Sequence, residues 1–237
     1  MLEALLSPAD CLRVTRVLDH LKSGGLAFAV TGGLAIGARL AEVGAPVGQK
    51  PLNDLDLVVG KWRDLEDRLP GGFLMNHVHP MAPEGKLLLQ LVSPDHKLRI
   101  DVFREYGLTL ARASSVPSIG HWQCVSVEDL RARITAHVCR SLGRGIIIDQ
   151  KYVEAFAALS RVGERHRLVE AWSDHRETID GTVWEATEAA QEMISANRQL
   201  ITRESYGIET DPCFKCNPKG RFVLTDPKLI ASILGYT

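Results

Sequence analysis

Three aspartates in apolar stretches are the side chains of this sequence best suited to chemistry. Asp54 and Asp56 lie in the run L-N-D-L-D-L-V-V, and Asp101 lies in L-R-I-D-V-F. Alternate residues of a β-strand project from the same face, so Asp54 and Asp56 present two neighbouring carboxylates. Such groups must be solvated, paired or bound to a cation, because an unpaired buried carboxylate is costly. We interpret them as a divalent metal site; a solvated strand edge is the alternative.

Asp101 can join the other two aspartates if its strand lies beside theirs in one sheet. Three carboxylates on one patch would repel each other unless hard cations bridged them, and Mg²⁺ is the usual cation for carboxylates combined with substrate phosphates. Two such ions can activate an attacking hydroxyl and stabilise the leaving oxygen of a phosphoryl displacement. The sequence therefore predicts two magnesium ions held by Asp54, Asp56 and Asp101.

A glycine pair precedes these acids and offers a place for phosphate. Gly32 and Gly33 follow the apolar run at 26–30 and open a predicted helix. Backbone N–H groups and the dipole at a helix N-terminus favour phosphate. Two adjacent glycines alone more often form a tight turn, so the prediction rests on their position before the acids.

The hydrophobic pattern predicts the elements that position these residues. Helical spacing follows Ser7-Pro8, and a second helical pattern begins at the glycine pair. Apolar runs predict strands around Asp54, at 73–78, and as a hairpin at 86–93 and 97–103 whose turn is residues 94–96. From Ser126 the pattern is helical, with amphipathic stretches at 149–162, 165–174 and 183–204. We expect an α+β fold: a short mixed sheet flanked by helices in residues 1–124, then a helical domain in residues 125–237.

The motifs together resemble a known superfamily. T-G-G-L-A-I-G-A-R-L, N-D-L-D-L-V-V and L-R-I-D-V-F, in this order, are similar to the signature of the nucleotidyltransferases typified by DNA polymerase beta. The most similar branch contains bacterial antibiotic nucleotidyltransferases and nucleotidyltransferase toxins. The resemblance spans about residues 7–160, since V-E-D-L-R-A-R-I and D-Q-K-Y-V-E-A-F-A-A-L look like the helical region that follows the sheet.

This resemblance implies an enzyme that transfers a nucleoside monophosphate from a nucleoside triphosphate, ATP being one, to an acceptor hydroxyl and releases pyrophosphate. It implies that Gly32 and Gly33 contact the triphosphate, that Asp54 and Asp56 hold both metals, and that Asp101 completes the site and acts as base. The acceptor stays open among a small molecule, a protein side chain and an RNA end. Against the family pattern, the connection from Gly33 to Asp54 is long, a difference that bears on substrate choice.

Two cations of the helical half, Arg133 and Lys151, are candidates for contacts with the triphosphate. An ordinary solvated helix surface is the alternative for both. Another motif, Cys213-x-x-Cys216, lies in a basic segment. Zinc would need a second Cys or His pair close by, so we favour a turn with two free thiols over half a zinc site.

Composition limits the class of protein. The chain has 237 residues, 45 % of them hydrophobic, and a net charge of −1, so no global basic field favours nucleic acid. The N-terminus lacks a signal-peptide pattern, no apolar run is long enough for a membrane span, and five cysteines fit reduced thiols. We expect a soluble cytoplasmic protein. Two other hypotheses stay open: a non-catalytic nucleotide-binding module, such as part of a toxin–antitoxin pair, and a zinc-dependent nucleic-acid module.

Overall fold

The computed structural model describes residues 2–52, 54–61, 74–81, 86–92 and 98–203. These residues form two compact units. The first contains the described residues up to Glu105 together with Ala113–Cys124, and the second contains Tyr106–Arg112 together with the described residues from Val125 onward. The predicted domain division at residue 124 stays a prediction.

The first unit is built on a seven-stranded mixed sheet. Its helices are α1 (Pro8–Ser23) and α2 (Gly32–Glu42), and its strands are β1 (Phe28–Val30), β2 (Asp54–Val59), β3 (Leu74–Met81), β4 (Lys86–Val92), β5 (Arg99–Arg104), β6 (Ser114–Ser115) and β7 (Gln123–Cys124). The strand order is β3-β4-β5-β2-β1-β7-β6. The β2–β5 and β1–β7 pairs are parallel and the other pairs are antiparallel.

Local sequence explains how helix α1 begins. The Ser7 side chain accepts a hydrogen bond from the backbone of Asp10, which caps α1, and Pro8 suits the first turn because the missing N–H would have no helical partner there. Four apolar residues at helical spacing on α1 are buried: Val14, Val17, Leu18 and Leu21. The helix predicted from Ser7-Pro8 is therefore confirmed.

The second unit is mainly helical. It contains α3 (Val127–Gly143), α4 (Gln150–Leu159), α5 (Arg165–His175) and α6 (Val183–Ala196), and a parallel pair formed by β8 (Ile148–Asp149) and β9 (Ile201–Thr202). Helix α3 packs against the other three helices. Among the described residues, no helix has the length and apolar character required to cross a membrane.

The predicted fold class is confirmed, because the structure is α+β with a mixed sheet flanked by helices. One predicted helical stretch, 183–204, is wrong in its extent. Helix α6 ends at Ala196, Asn197 leaves the helical conformation, and Ile201–Thr202 pairs with β8 as a strand. The turn predicted at 94–96 lies outside the described residues.

Candidate functional site

The register of the sheet brings the three predicted acids to one face. Strands β2 and β5 are parallel neighbours, with Asp56 opposite Asp101 and Asp54 opposite Arg99. Residues directly opposite on adjacent strands project from the same face. The alternate residues of both strands point the other way and are buried, namely Leu55, Leu57, Ile100 and Val102. The structure therefore meets the condition that the strand of Asp101 lie beside that of Asp54 and Asp56.

An arginine lies among these acids. Arg99 Nη2 is 2.5 Å from Asp54 Oδ2 and 3.4 Å from Asp101 Oδ2, and Arg99 Nε is 3.1 Å from Asp101 Oδ1. From the adjacent strand β4, Gln90 Nε2 donates to Asp101 Oδ1 at 3.2 Å. A guanidinium and an amide thus neutralise and satisfy carboxylates that would otherwise repel each other.

Burial sets the protonation of Asp101. Its side chain is only 8 % exposed, and burial raises the pKa of the carboxyl to about 6. Arg99 favours the charged form and Asp54 disfavours it, while the hydrogen bonds from Gln90 and Arg99 act in the same direction as the arginine charge. A carboxyl with a pKa near 6 can exchange a proton close to neutral pH, as a general base must.

The chemistry of the three predicted ligands suits magnesium, because all three are carboxylates and Mg²⁺ prefers oxygen ligands. Within the part of the chain that the structure describes, however, no three acidic, histidine or cysteine side chains are grouped so that they hold a metal ion as they stand. The guanidinium of Arg99 bridges Asp54 and Asp101 in this arrangement.

The first residue of α2 is in direct contact with Asp56. Thr31 N donates to the Asp56 backbone oxygen at 2.9 Å, which fixes the start of α2 beside β2. Gly32 has a φ of +62°, and a Cβ at this position would lie 1.7 Å from Asp56 Oδ2. A residue without a side chain is therefore needed here for two reasons, the left-handed backbone and the carboxylate beside it. Gly33 has open space where its Cβ would be.

The two glycines give a matched pair of variants. Gly32→Ala should lower the stability by about 1 to 3 kcal/mol, because the methyl group strains the backbone and pushes the Asp56 carboxylate away. Gly33→Ala should leave stability unchanged or raise it slightly, because alanine favours a helix. Thermal unfolding of both proteins checks this. Equal melting temperatures for the two variants would show that the close approach of Gly32 to Asp56 is not constrained.

Comparisons with known proteins add little to this geometry. No protein-family model matches the chain, and no curated protein matches it. JHP933 from Helicobacter pylori is similar over 82 % of this chain and 95 % of its own, with 11 % identity and a TM-score of 0.32. The antibiotic-resistance factor ANT(2'')-Ia is similar over 81 % of this chain and 92 % of its own, with 14 % identity and a TM-score of 0.39. At these low values, neither likeness carries an argument about family or function.

The predicted phosphate-binding cations lie in the second unit. Arg133 is half-buried on α3, and Lys151 is exposed in the first turn of α4. Burial, followed by the charges of Arg140, Arg133 and Lys151, lowers the pKa of His137 to about 4. The His137 ring lies 4.3 Å from the ring of Tyr152. Arg140, Arg133 and Lys151 therefore all disfavour a positive charge on His137.

The cluster formed by His137 and the cations Arg133, Arg140 and Lys151 predicts that the pKa of His137 responds to nearby charge. Because its folded-state pKa is below the ordinary value of about 6.5, its contribution to stability is present above pH 6.5 and is lost as the pH falls toward 4. Lys151→Gln should raise the pKa of His137, because it removes one repelling charge, and added pyrophosphate should do so in the wild type. NMR titration of the imidazole measures both, with the exposed Arg167 changed to Gln as control. An unchanged pKa with pyrophosphate would show that this cluster does not take a phosphate.

Sequence reasoning missed the two polar partners of the acids. Arg99 precedes Asp101 by the same two-residue spacing that relates Asp54 to Asp56, and this alternation could have placed it on the same face. Gln90 carried no signal of this kind, because its position depends on the pairing of β4 with β5. The motif of Cys213 and Cys216 lies outside the described residues.

Proposed function

We propose that this protein is a nucleotidyltransferase, which transfers a nucleoside monophosphate from a nucleoside triphosphate to an acceptor hydroxyl and releases pyrophosphate. The observation that carries the proposal is the convergence of Asp54, Asp56 and Asp101 on one face of adjacent parallel strands, with the backbone of Gly32 against the Asp56 carboxylate. The order of these motifs in the sequence, and their resemblance to the superfamily signature, support the same reading.

In this proposal, Asp54 and Asp56 hold two magnesium ions and Asp101 completes the set. When bound, the ions would neutralise phosphate charge and promote attack on the α-phosphate. The N–H groups at the start of α2, from Gly32 and Gly33, would bind phosphate oxygens. Buried Asp101 would accept the proton of the attacking hydroxyl at a carboxylate oxygen.

Arg133 and Lys151 stay predictions as cations that bind phosphate. The acceptor is a small molecule, a protein side chain or an RNA end. A net charge of −1 favours the first two, because enzymes that act on RNA commonly carry a basic excess. The cytoplasmic location stays a prediction.

A non-catalytic nucleotide-binding module is the second candidate, and one observation favours it. Arg99 already compensates Asp54 and Asp101, so these two acids have a structural explanation without a metal. Such a module would bind a triphosphate and release no pyrophosphate. It would also tolerate replacement of the acids as long as the strand pairing is retained.

The test is pyrophosphate release from each of the four ribonucleoside triphosphates, with magnesium and a cell extract as the source of acceptors. We expect release with at least one triphosphate, and release that requires the extract. Binding of a triphosphate without release would favour the non-catalytic module. Zinc in the purified protein, with loss of folding on chelation, would instead support a site at Cys213 and Cys216.

A further inference from the structure

Arg99 occupies the space between two acids to which the proposed function gives a cation. Its side chain is 16 % exposed, and its Nη2 and Nε atoms reach Asp54 and Asp101 at 2.5 and 3.1 Å. Both oxygens of Asp101 accept hydrogen bonds, since Gln90 Nε2 lies 3.2 Å from Oδ1 and Arg99 Nη2 lies 3.4 Å from Oδ2. The acids are thus engaged by donors of this chain.

We propose that Arg99 is a built-in counterion that competes with the divalent cation, so that the cation enters by displacing the guanidinium from Asp54 and Asp101. This inference rests on the proposed function, because it concerns the metal of that same site. Arg99 is then a positioning residue: it holds the carboxylates together when no metal is bound and leaves them when one is.

The residual negative charge of the site favours entry of the divalent cation. Three carboxylates and one guanidinium leave two negative charges on this face, so a divalent cation is still attracted while Arg99 is paired. A cation and a guanidinium that share one carboxylate would repel each other at short range in a poorly solvated site. The long side chain of Arg99 and its partial exposure allow the guanidinium to leave without a change in the sheet.

The free energy needed to release Arg99 from the two acids weakens metal binding. A ligand that binds only the state in which Arg99 is released has its affinity reduced by the fraction of protein in that state. If the paired state makes up roughly nine tenths of the metal-free protein, removal of Arg99 strengthens binding about tenfold. A residue that merely stabilised the metal site would give the opposite result.

The experiment compares Mn²⁺ binding to the full-length wild type, Arg99→Gln and Arg104→Gln, measured by electron paramagnetic resonance of the free ion. Arg104 is the matched control, because it ends the same strand and is exposed. We expect Arg99→Gln to bind Mn²⁺ about tenfold more tightly than the wild type, and Arg104→Gln to match the wild type. Equal or weaker binding by Arg99→Gln would overturn the proposal.

A second measurement uses the unaltered protein, in case Arg99→Gln does not fold. The Nη2–H signal of Arg99 in the NMR spectrum should shift and exchange faster with water when Mg²⁺ is added, because its hydrogen bond to Asp54 breaks. A signal that Mg²⁺ leaves unchanged would overturn the exchange even with tight metal binding.

The outcomes separate this inference from the proposed function. If pyrophosphate release depends on Asp56 but Mn²⁺ binds wild type and Arg99→Gln equally, the inference fails and the function stands. If Mn²⁺ displaces Arg99 but no triphosphate is turned over, the function fails and the exchange stands. If neither the wild type nor Arg99→Gln binds Mn²⁺, the inference and the proposed function are both overturned.

Discussion

Asp56→Asn is expected to lower pyrophosphate release by at least about a thousandfold while the protein stays folded. Asparagine keeps the shape of aspartate but loses the negative charge that would hold both magnesium ions. Asp56 is half-buried and the strand around it is fixed by pairing with β1 and β5, so the backbone does not depend on this charge. The measurement is the initial rate with the triphosphate that the wild type uses.

The control for Asp56→Asn is Asp180→Asn, which removes an exposed carboxylate in the second unit. Its rate should equal that of the wild type. Far-UV circular dichroism and the melting temperature show whether each variant is folded. A folded Asp56→Asn protein with near-normal turnover would refute the assignment of this acid.

Asp129→Ala is expected to have the largest effect on stability, a loss of about 3 to 5 kcal/mol. Asp129 in α3 is 1 % exposed and lies at the centre of a buried network of the second unit. It accepts hydrogen bonds from Arg112 at 2.6 and 2.9 Å and from Ser126 at 2.6 Å, and lies 2.9 Å from His175 Nε2. Its removal leaves these groups without their buried acceptor.

The same network gives a pH dependence with a definite sign. Burial alone would raise the pKa of Asp129, but hydrogen bonds from Arg112, His175 and Ser126 outweigh it and hold the pKa far below its usual range. A lowered folded-state pKa contributes stability that is present above the unfolded pKa of about 3.8 and is lost as the pH falls through the folded value. Wild-type protein should therefore lose stability below about pH 4, and Asp129→Ala should lack this part of the loss.

Urea denaturation at several pH values, followed by far-UV circular dichroism, measures the effect of Asp129. Asp180→Ala is the control and should change stability by less than about 0.5 kcal/mol, because it removes an exposed carboxylate. If Asp129→Ala unfolds at the same urea concentration as Asp180→Ala, the buried network does not stabilise this unit.

The elements of the site were predictable because they depend on local rules. The alternation of acids and apolar residues placed Asp54 and Asp56 on one strand face, and the glycine pair marked the start of α2. The pairing of β2 with β5 was not fixed by these rules, because it joins segments that are far apart in sequence. From the sequence, Asp101 could be expected to join the other acids only if its strand lay beside theirs. The register, with Asp56 opposite Asp101, shows that it does.

Other features depend on tertiary contacts that a local pattern does not contain. The strand at Ile201–Thr202 exists because it pairs with β8, and the helical pattern predicted over that segment could not reveal this. The contacts of Arg99 and Gln90 with Asp101 depend in the same way on which strands are neighbours. The sequence pattern singled out the candidate acids but not the residues that contact them.

The most direct test of nucleotidyl transfer follows the nucleoside monophosphate itself. The protein is incubated with magnesium, a cell extract and each triphosphate labelled at the α-phosphate, beside Asp56→Asn. We expect nucleotidyl transfer to attach the label covalently to an acceptor with the wild type and not with Asp56→Asn, and the labelled product identifies the acceptor. Triphosphate that binds the wild type but leaves no label on any acceptor would contradict it.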